Sequence, residues 1–216
     1  MRSNGTRRRS PIGCAATGPA SKKARRLKAT LVFLDESGFL THPYVGTTWA
    51  RRGQTPVVRH RLRHRQKITV LGSLTVSPAR WRCGLYAEFL PGRSVTQDDL
   101  IAHLRRLRRT VRTPLVVLLD NLAQHKGRRL RNWCAKVGDV HLEWLPAYAP
   151  ELNAIEGVWG HGKCVTARGR IVDDVDGLES LARESVTAAT DQPLLRGFIQ
   201  GTRLPFAFNL KPHNSI

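Results

Sequence analysis

The sequence predicts an α/β domain built on a mixed sheet flanked by helices, and three observations carry that prediction. Two short apolar runs that end on acids, "ATLVFLD" (29–35) and "LVVLLD" (115–120), read as strands buried on both faces. Between them, "QKITVLGSLTV" and "WRCGLYAEFL" are split by "SPAR" and read as a hairpin. After the hairpin, segments of helical spacing alternate with strands. The order is strand, hairpin, helix, strand, helix, strand, helix, helix, with no internal repeat and no second core.

The first helix is expected over "TQDDLIAHLRRLRRTVR". Thr96 with Asp99 three residues on makes a capping-box start. Leu100, Ile101, Leu104, Leu107 and Val111 recur at helical spacing. Arg105, Arg106, Arg108, Arg109 and Arg112 fill the rest and suit the C-terminal dipole. They form either a solvated face or a DNA contact. A helix is expected over "HKGRRLRNWCAKVG" and a short strand over "DVHLEWL". The spacing of Leu152, Ile155 and Trp159 makes "PELNAIEGVWGHGK" helical, with Trp159 in the core, and a last helix covers "DVDGLESLARESVTAAT". Residues 1–28 read as a flexible basic arm or linker remnant, 29–210 as the folded domain and 211–216 as a tail.

Charge narrows the function. Lys and Arg number 36 against 16 acids, a formal charge of +20. A field of that sign selects a polyanion, and nucleic acid fits better than a membrane surface or an acidic protein. The arm carries nine basic residues and no acid, and it lacks the apolar centre of a secretory signal. No run of 18 apolar residues is present, so no membrane span is expected. The cysteines Cys14, Cys83, Cys134 and Cys164 form no Cys-x-x-Cys pair and read as reduced thiols, which fits a cytoplasmic, nucleoid-associated protein.

Three acids stand in comparable settings. Asp35 and Asp120 each close a strand, and Glu156 sits in the helix after the last strand. Chemistry in open α/β sheets gathers outside the carboxyl ends of strands. If the two strands are neighbours, Asp35 and Asp120 lie side by side and repel unless a cation sits between them. Oxygen ligands without paired Cys or His favour Mg²⁺ or Mn²⁺ over zinc. With Glu156, the set could hold the two ions of phosphodiester chemistry. Glu36 points to the other side of its strand and is the poorer ligand.

Four pieces, in order, resemble the catalytic domain of acid-triad (DDE) transposases of the mariner superfamily and its bacterial insertion-sequence relatives. They are "FLDESGF" (33–39), "TWARRGQTP" (48–56), "LDNLAQHK" (119–126) and "LPAYAPELNAIEGVW" (145–159). The resemblance covers roughly residues 29 to 210 and implies a ribonuclease-H-like fold. It also implies cleavage of DNA at transposon ends and strand transfer into target DNA, with a homodimer in the DNA complex. Asp35, Asp120 and Glu156 would be the ligands of two Mg²⁺ or Mn²⁺ ions, Asp35 bridging both, and Asn121, His125 and Asn153 would support them. Asn153 and Glu156, three apart, should share one helix face.

Two departures stand out in the helix of Glu156. Ala154 replaces the family's usual Pro, and Gly162 replaces an apolar residue before Lys163. With Gly157 and Gly160, the helix gives up roughly 3 kcal/mol against an all-Ala equivalent and must be held by packing. A larger departure is that a basic arm of 28 residues cannot fold into the family's helix-turn-helix. Either a separate polypeptide supplies one or the chain is a truncated remnant. A non-enzymatic DNA-binding remnant and a structure-selective nuclease are therefore the rival readings.

The remaining features have two readings each. His125 touches phosphate or the attacking water, or it bonds backbone at a helix start. Trp49, beside Arg51 and Arg52, stacks on a base or packs beneath its loop. Lys126 and Lys163 are further candidate DNA contacts. His60 and His64 have metal-ligand spacing, but "RHRLRHR" is too cationic to recruit a cation.

Overall fold

Five strands pair into one sheet: β1 (Thr30–Leu40), β2 (Lys67–Val76), β3 (Cys83–Pro91), β4 (Leu115–Leu119) and β5 (Val140–Trp144). Their order is β3-β2-β1-β4-β5. The β1–β2 and β2–β3 pairs are antiparallel, while β1–β4 and β4–β5 are parallel. The expected mixed sheet is therefore present. The computed structural model describes residues 20–42, 44, 50–54, 66–77, 82–147 and 149–202. Trp49, His60, His64, Cys14 and the 211–216 tail lie outside them.

The helices are α1 (20–26), α2 (Gln97–Val111), α3 (Arg128–Val137), α4 (Ile155–His161), α5 (Val175–Thr187) and α6 (Gln192–Gly201). Successive side chains of a strand face opposite ways, so a continuous apolar run needs cover on both sides. Leu31 and Phe33 of β1, with Val116 and Leu118 of β4, pack among residues of α4, α5 and α6. Val32 and Leu34, with Leu115, Val117 and Leu119, pack against α2 and α3. The capping box of Thr96 and Asp99 is formed. Buried His103 of α2 meets Ser73 Oγ at 2.8 Å and Glu88 Oε1 at 2.7 Å. Ser73 is fully enclosed, so this trio fastens α2 to the hairpin rather than offering a nucleophile.

Three expectations change. The basic arm does not extend to residue 28: 20–26 are helical, Ala20 and Ala24 are buried in the core, and Lys23 pairs with Glu143 at 2.7 Å. Alanines at i and i+4 give a lysine- and arginine-rich helix a small apolar stripe. The helix expected over 150–163 is broken. A 3-10 turn at Pro150–Leu152 leads to Asn153 in an extended conformation, then to the seven residues of α4 and a π turn at Gly162–Thr166. Finally, α6 follows the helix expected to be last, and its Leu195 and Ile199 complete the α4–α5 core. Among the described residues no helix is long and apolar enough to cross a membrane.

Candidate active site

The parallel register of β1 and β4 ends with Phe33 opposite Leu118. Two residues further on each strand stand Asp35 and Asp120, level with each other and on the α4 side of the sheet. Their settings differ. β1 runs on through Asp35, because β2 continues to pair with it and places Gly72 opposite. Asp35 is therefore a mid-strand residue, 8% exposed, and does not close its strand as expected. Asp120 does follow the end of β4, and its side chain is 42% exposed. Glu156 occupies the exposed side of the first turn of α4. All three acids line one cavity of about 430 Å³, together with Asn121, Asn153 and the 145–147 segment.

Each acid is held by a different neighbour. Trp159 Nε1 donates to Asp35 Oδ2 at 3.2 Å. That contact depends on Gly72, because a Cβ there would lie 2.5 Å from the Trp159 ring. Trp159 is thus core, as expected, and also a donor to the site. Asp120 Oδ1 accepts from Leu122 N at 3.0 Å and lies 2.5 Å from His125 Nδ1. The other nitrogen of His125 lies 3.2 Å from Glu36 Oε2, and the ring is fully buried. His125 therefore links acids from both faces of the sheet, which neither of its expected roles anticipated. Glu36 faces away from Asp35, as the strand period requires.

Asn121 Nδ2 donates to Leu145 O at 2.5 Å and ties the ends of β4 and β5 together. Asn153 does not share a helix face with Glu156. It precedes the helix, and its Nδ2 donates to Leu34 O at 3.2 Å. Among the described residues its Oδ1 is buried without a partner. Lys163, expected to contact DNA, is half-buried, donates to Ser37 Oγ at 2.7 Å and lies over the Phe39 ring. Lys126 is exposed at the end of a 3-10 turn, and Arg51 and Arg52 are exposed.

The electrostatics reveal what the cavity lacks. Burial, and then Glu156, Glu36 and Asp120, push the Asp35 carboxyl up to about 7. Glu156 is raised by burial and by Asp120, against the pull of Lys163. Burial lowers the Lys163 ammonium, although Glu156 and Asp35 hold it up. For His125 burial acts downward, but the bonds and charges of Glu36 and Asp120 outweigh it and its pKa is raised. Acids that resist ionisation side by side are short of positive charge. An all-oxygen donor set with an unpartnered buried amide oxygen fits a hard divalent cation. Among the described residues no three such side chains are already gathered as a coordination shell. Asp35 is bonded to Trp159 and Asp120 to His125 instead.

A model of the DDE superfamily endonuclease family matches residues 30–179. Over 127 residues the chain is 26% identical to the "Insertion element IS630 uncharacterized 39 kDa protein" of Shigella sonnei, covering 58% of this chain and 35% of that protein. A pre-cleavage Mos1 transpososome matches with a TM-score of 0.62 at 17% identity, over 94% of this chain and 63% of that one. The Mos1 mariner paired end complex with Mn gives 0.60 at 18% identity, over 94% and 65%. The Mos1 mariner transposase catalytic domain gives 0.51 at 17% identity, over 91% and 89%. These likenesses show the ribonuclease-H-like fold expected from the sequence. The chain spans about a third of the curated relative's length and 65% of the chain in the paired end complex with Mn.

Proposed function

Because the chain belongs to the DDE superfamily of endonucleases, we propose that it is the catalytic domain of a DNA transposase. It would hydrolyse phosphodiester bonds at transposon ends and join the freed ends to target DNA. The observation that carries this reading is the convergence of Asp35, Asp120 and Glu156 on one cavity, with Asp35 pushed up to about 7.

These three acids would hold two divalent cations, Mg²⁺ or Mn²⁺. Bound there, the ions would supply activation of the attacking oxygen and stabilisation of the leaving one. The protein's own groups set the stage. Trp159 fixes Asp35 from the core side, and His125 orients Asp120. Lys163 offers a cation beside Glu156 and Asp35, suited to a backbone phosphate entering the cavity. No covalent enzyme intermediate is needed, because water and then the DNA 3′-hydroxyl are the nucleophiles. DNA is the partner, a homodimer on paired ends the working assembly, and a separate helix-turn-helix polypeptide the source of end recognition. The charge of +20 supports the first, and the paired-end and transpososome complexes that the fold resembles support the second.

The test is Asp120→Asn in a plasmid-nicking assay with Mg²⁺, the recognition polypeptide supplied in trans. Asn keeps the shape and turn-forming capacity of Asp but loses the charge that holds a cation. Nicking should vanish while DNA binding is retained or strengthened. Nicking at the wild-type rate would leave Asp120 as a turn residue and remove the reading.

A further inference from the structure

We infer that the furrow between α2 and α3, on the sheet face opposite α4, is a second DNA-contact surface that grips a duplex backbone away from the acids. The inference rests on DNA being the partner, as proposed above, but concerns a different surface.

The two helices run side by side in the same direction. Near their starts Arg129 pairs with Asp98 at 2.9 Å and Gln97 Oε1 accepts from Leu130 N. At their ends Arg108 pairs with Asp139 at 2.6 Å. α2 buries Leu100, Ile101, Leu104 and Leu107 on the sheet. Arg105 and Arg109, at i and i+4, face outward on the side of the helix that meets α3, and Arg112, the C-cap residue in the left-handed conformation, stands exposed just past the last turn. On α3, Lys136 lies seven residues after Arg129 and so shares the side turned towards α2.

The ion pairs separate these residues into two groups. Arg106, Arg108 and Arg129 have carboxylate partners in Glu88, Asp139 and Asp98. Arg105, Arg109, Arg112 and Lys136 are exposed, and among the described residues they have none. Like charges at i and i+4 on a helix destabilise it, so an unneutralised stripe is a cost in the isolated domain. A polyanion laid along it removes that cost. From Arg105 to Arg112 the stripe rises about 10 Å, which matches about three successive phosphates of one strand at about 3.4 Å of axis each. The three arginines are exposed on and just past the end of α2, with no aromatic residue among them to read bases. Contact with phosphates, indifferent to sequence, is what this chemistry supports.

The furrow is also separate from the cavity. The acids lie at the carboxyl end of β4, next to the start of α3, whereas Arg112 and Lys136 lie by the far ends of the helices. A duplex held here would be anchored on one face while the cleaved strand is handled at the sheet end.

The experiment measures affinity for a labelled mixed-sequence duplex against salt, with the full chain. Wild type is compared with Arg105→Gln/Arg109→Gln/Arg112→Gln, the corresponding triple Lys variant, and Asp120→Asn. The Gln triple should bind more weakly and lower the magnitude of the log–log salt slope by about 2.7, at about 0.9 per lost phosphate contact. The Lys triple, which keeps the charge, should retain the wild-type slope. Thermal unfolding of the Gln triple should stay close to wild type, since relief of repulsion within α2 offsets the lost interaction with its C-terminal dipole, which shows that the variant is folded. A Gln triple with the wild-type slope overturns the furrow while leaving the acid site untouched. A Lys triple as weak as the Gln triple overturns it too, because the loss would then not be one of charge. If wild type and Asp120→Asn show no salt-dependent binding at all, it is the DNA reading itself that fails.

Discussion

Asp35 and Glu156 line the same cavity but are mounted in opposite ways. Asp35 stands within an eleven-residue strand, paired to Gly72 on one side, 8% exposed and bonded to the Trp159 indole. Glu156 rides exposed on a seven-residue helix between a 3-10 turn with extended Asn153 and a π turn. One acid is part of the sheet, and the other is on a short element whose ends are irregular. In the proposed cation site Asp35 would be the fixed reference ligand and Glu156 the ligand that approaches it. The price is an ionisable group in the core, which Asp35 shows by its raised pKa.

The contrast breaks most readily through pH. Asp35 ionises near 7 in the fold against an ordinary 3.8. Folding therefore favours its protonated form: that contribution is intact below about pH 4 and lost as pH rises through 7. A shift of this size corresponds to about 4 kcal/mol at most. Urea unfolding of the metal-free protein should show Asp35→Asn gaining stability over wild type between pH 5 and 8. Glu156→Gln should gain in the same direction but by less than Asp35→Asn, because Glu156 is the more exposed acid and its charge is one of several that push Asp35 up. Equal effects of the two substitutions would erase the difference between the mounts.

Next in size is Gly72→Ala. Its Cβ would lie 2.5 Å from the Trp159 ring and 2.9 Å from Ile155. Overpacking of this kind costs about 1–3 kcal/mol and should turn the indole away from Asp35. Calorimetric melting and tryptophan fluorescence read the two consequences together. The smallest effect has the opposite sign. Gly160 in α4 has open space where a Cβ would stand. Gly160→Ala should stabilise the protein by up to about 1 kcal/mol, seen as a higher denaturant midpoint, while stiffening the carrier of Glu156.

The same division decided what could be read in advance. The strands of Asp35 and Asp120 were legible because parallel strands covered on both faces need unbroken apolar runs, and nothing else in the chain imitates "LVVLL". The capping box of α2 is equally local, and it formed. The break at Asn153 was not legible, because Leu152, Ile155 and Trp159 keep helical spacing across it. The bond from Asn153 to Leu34 O, which sets the break, spans 119 residues. The Trp159–Asp35 contact depends on Gly72 from a third segment, and His125 meets Glu36 across 89 residues. Local pattern carried the sheet and named the acids. The groups that hold those acids come from long-range packing, which periodicity does not encode. Helix α1 was hidden for another reason: its lysines and arginines mask two buried alanines.

In the proposed function Asp35, Asp120 and Glu156 together would hold divalent metal. Titration of Mn²⁺ into the protein, with free ion counted by electron paramagnetic resonance, tests it without need of DNA or of activity. Wild type should bind up to two ions per chain. Asp35→Asn, Asp120→Asn and Glu156→Gln should each weaken binding by at least about 10-fold, because each removes a ligand rather than an outer partner. Isotherms that superimpose on wild type for all three variants would contradict it.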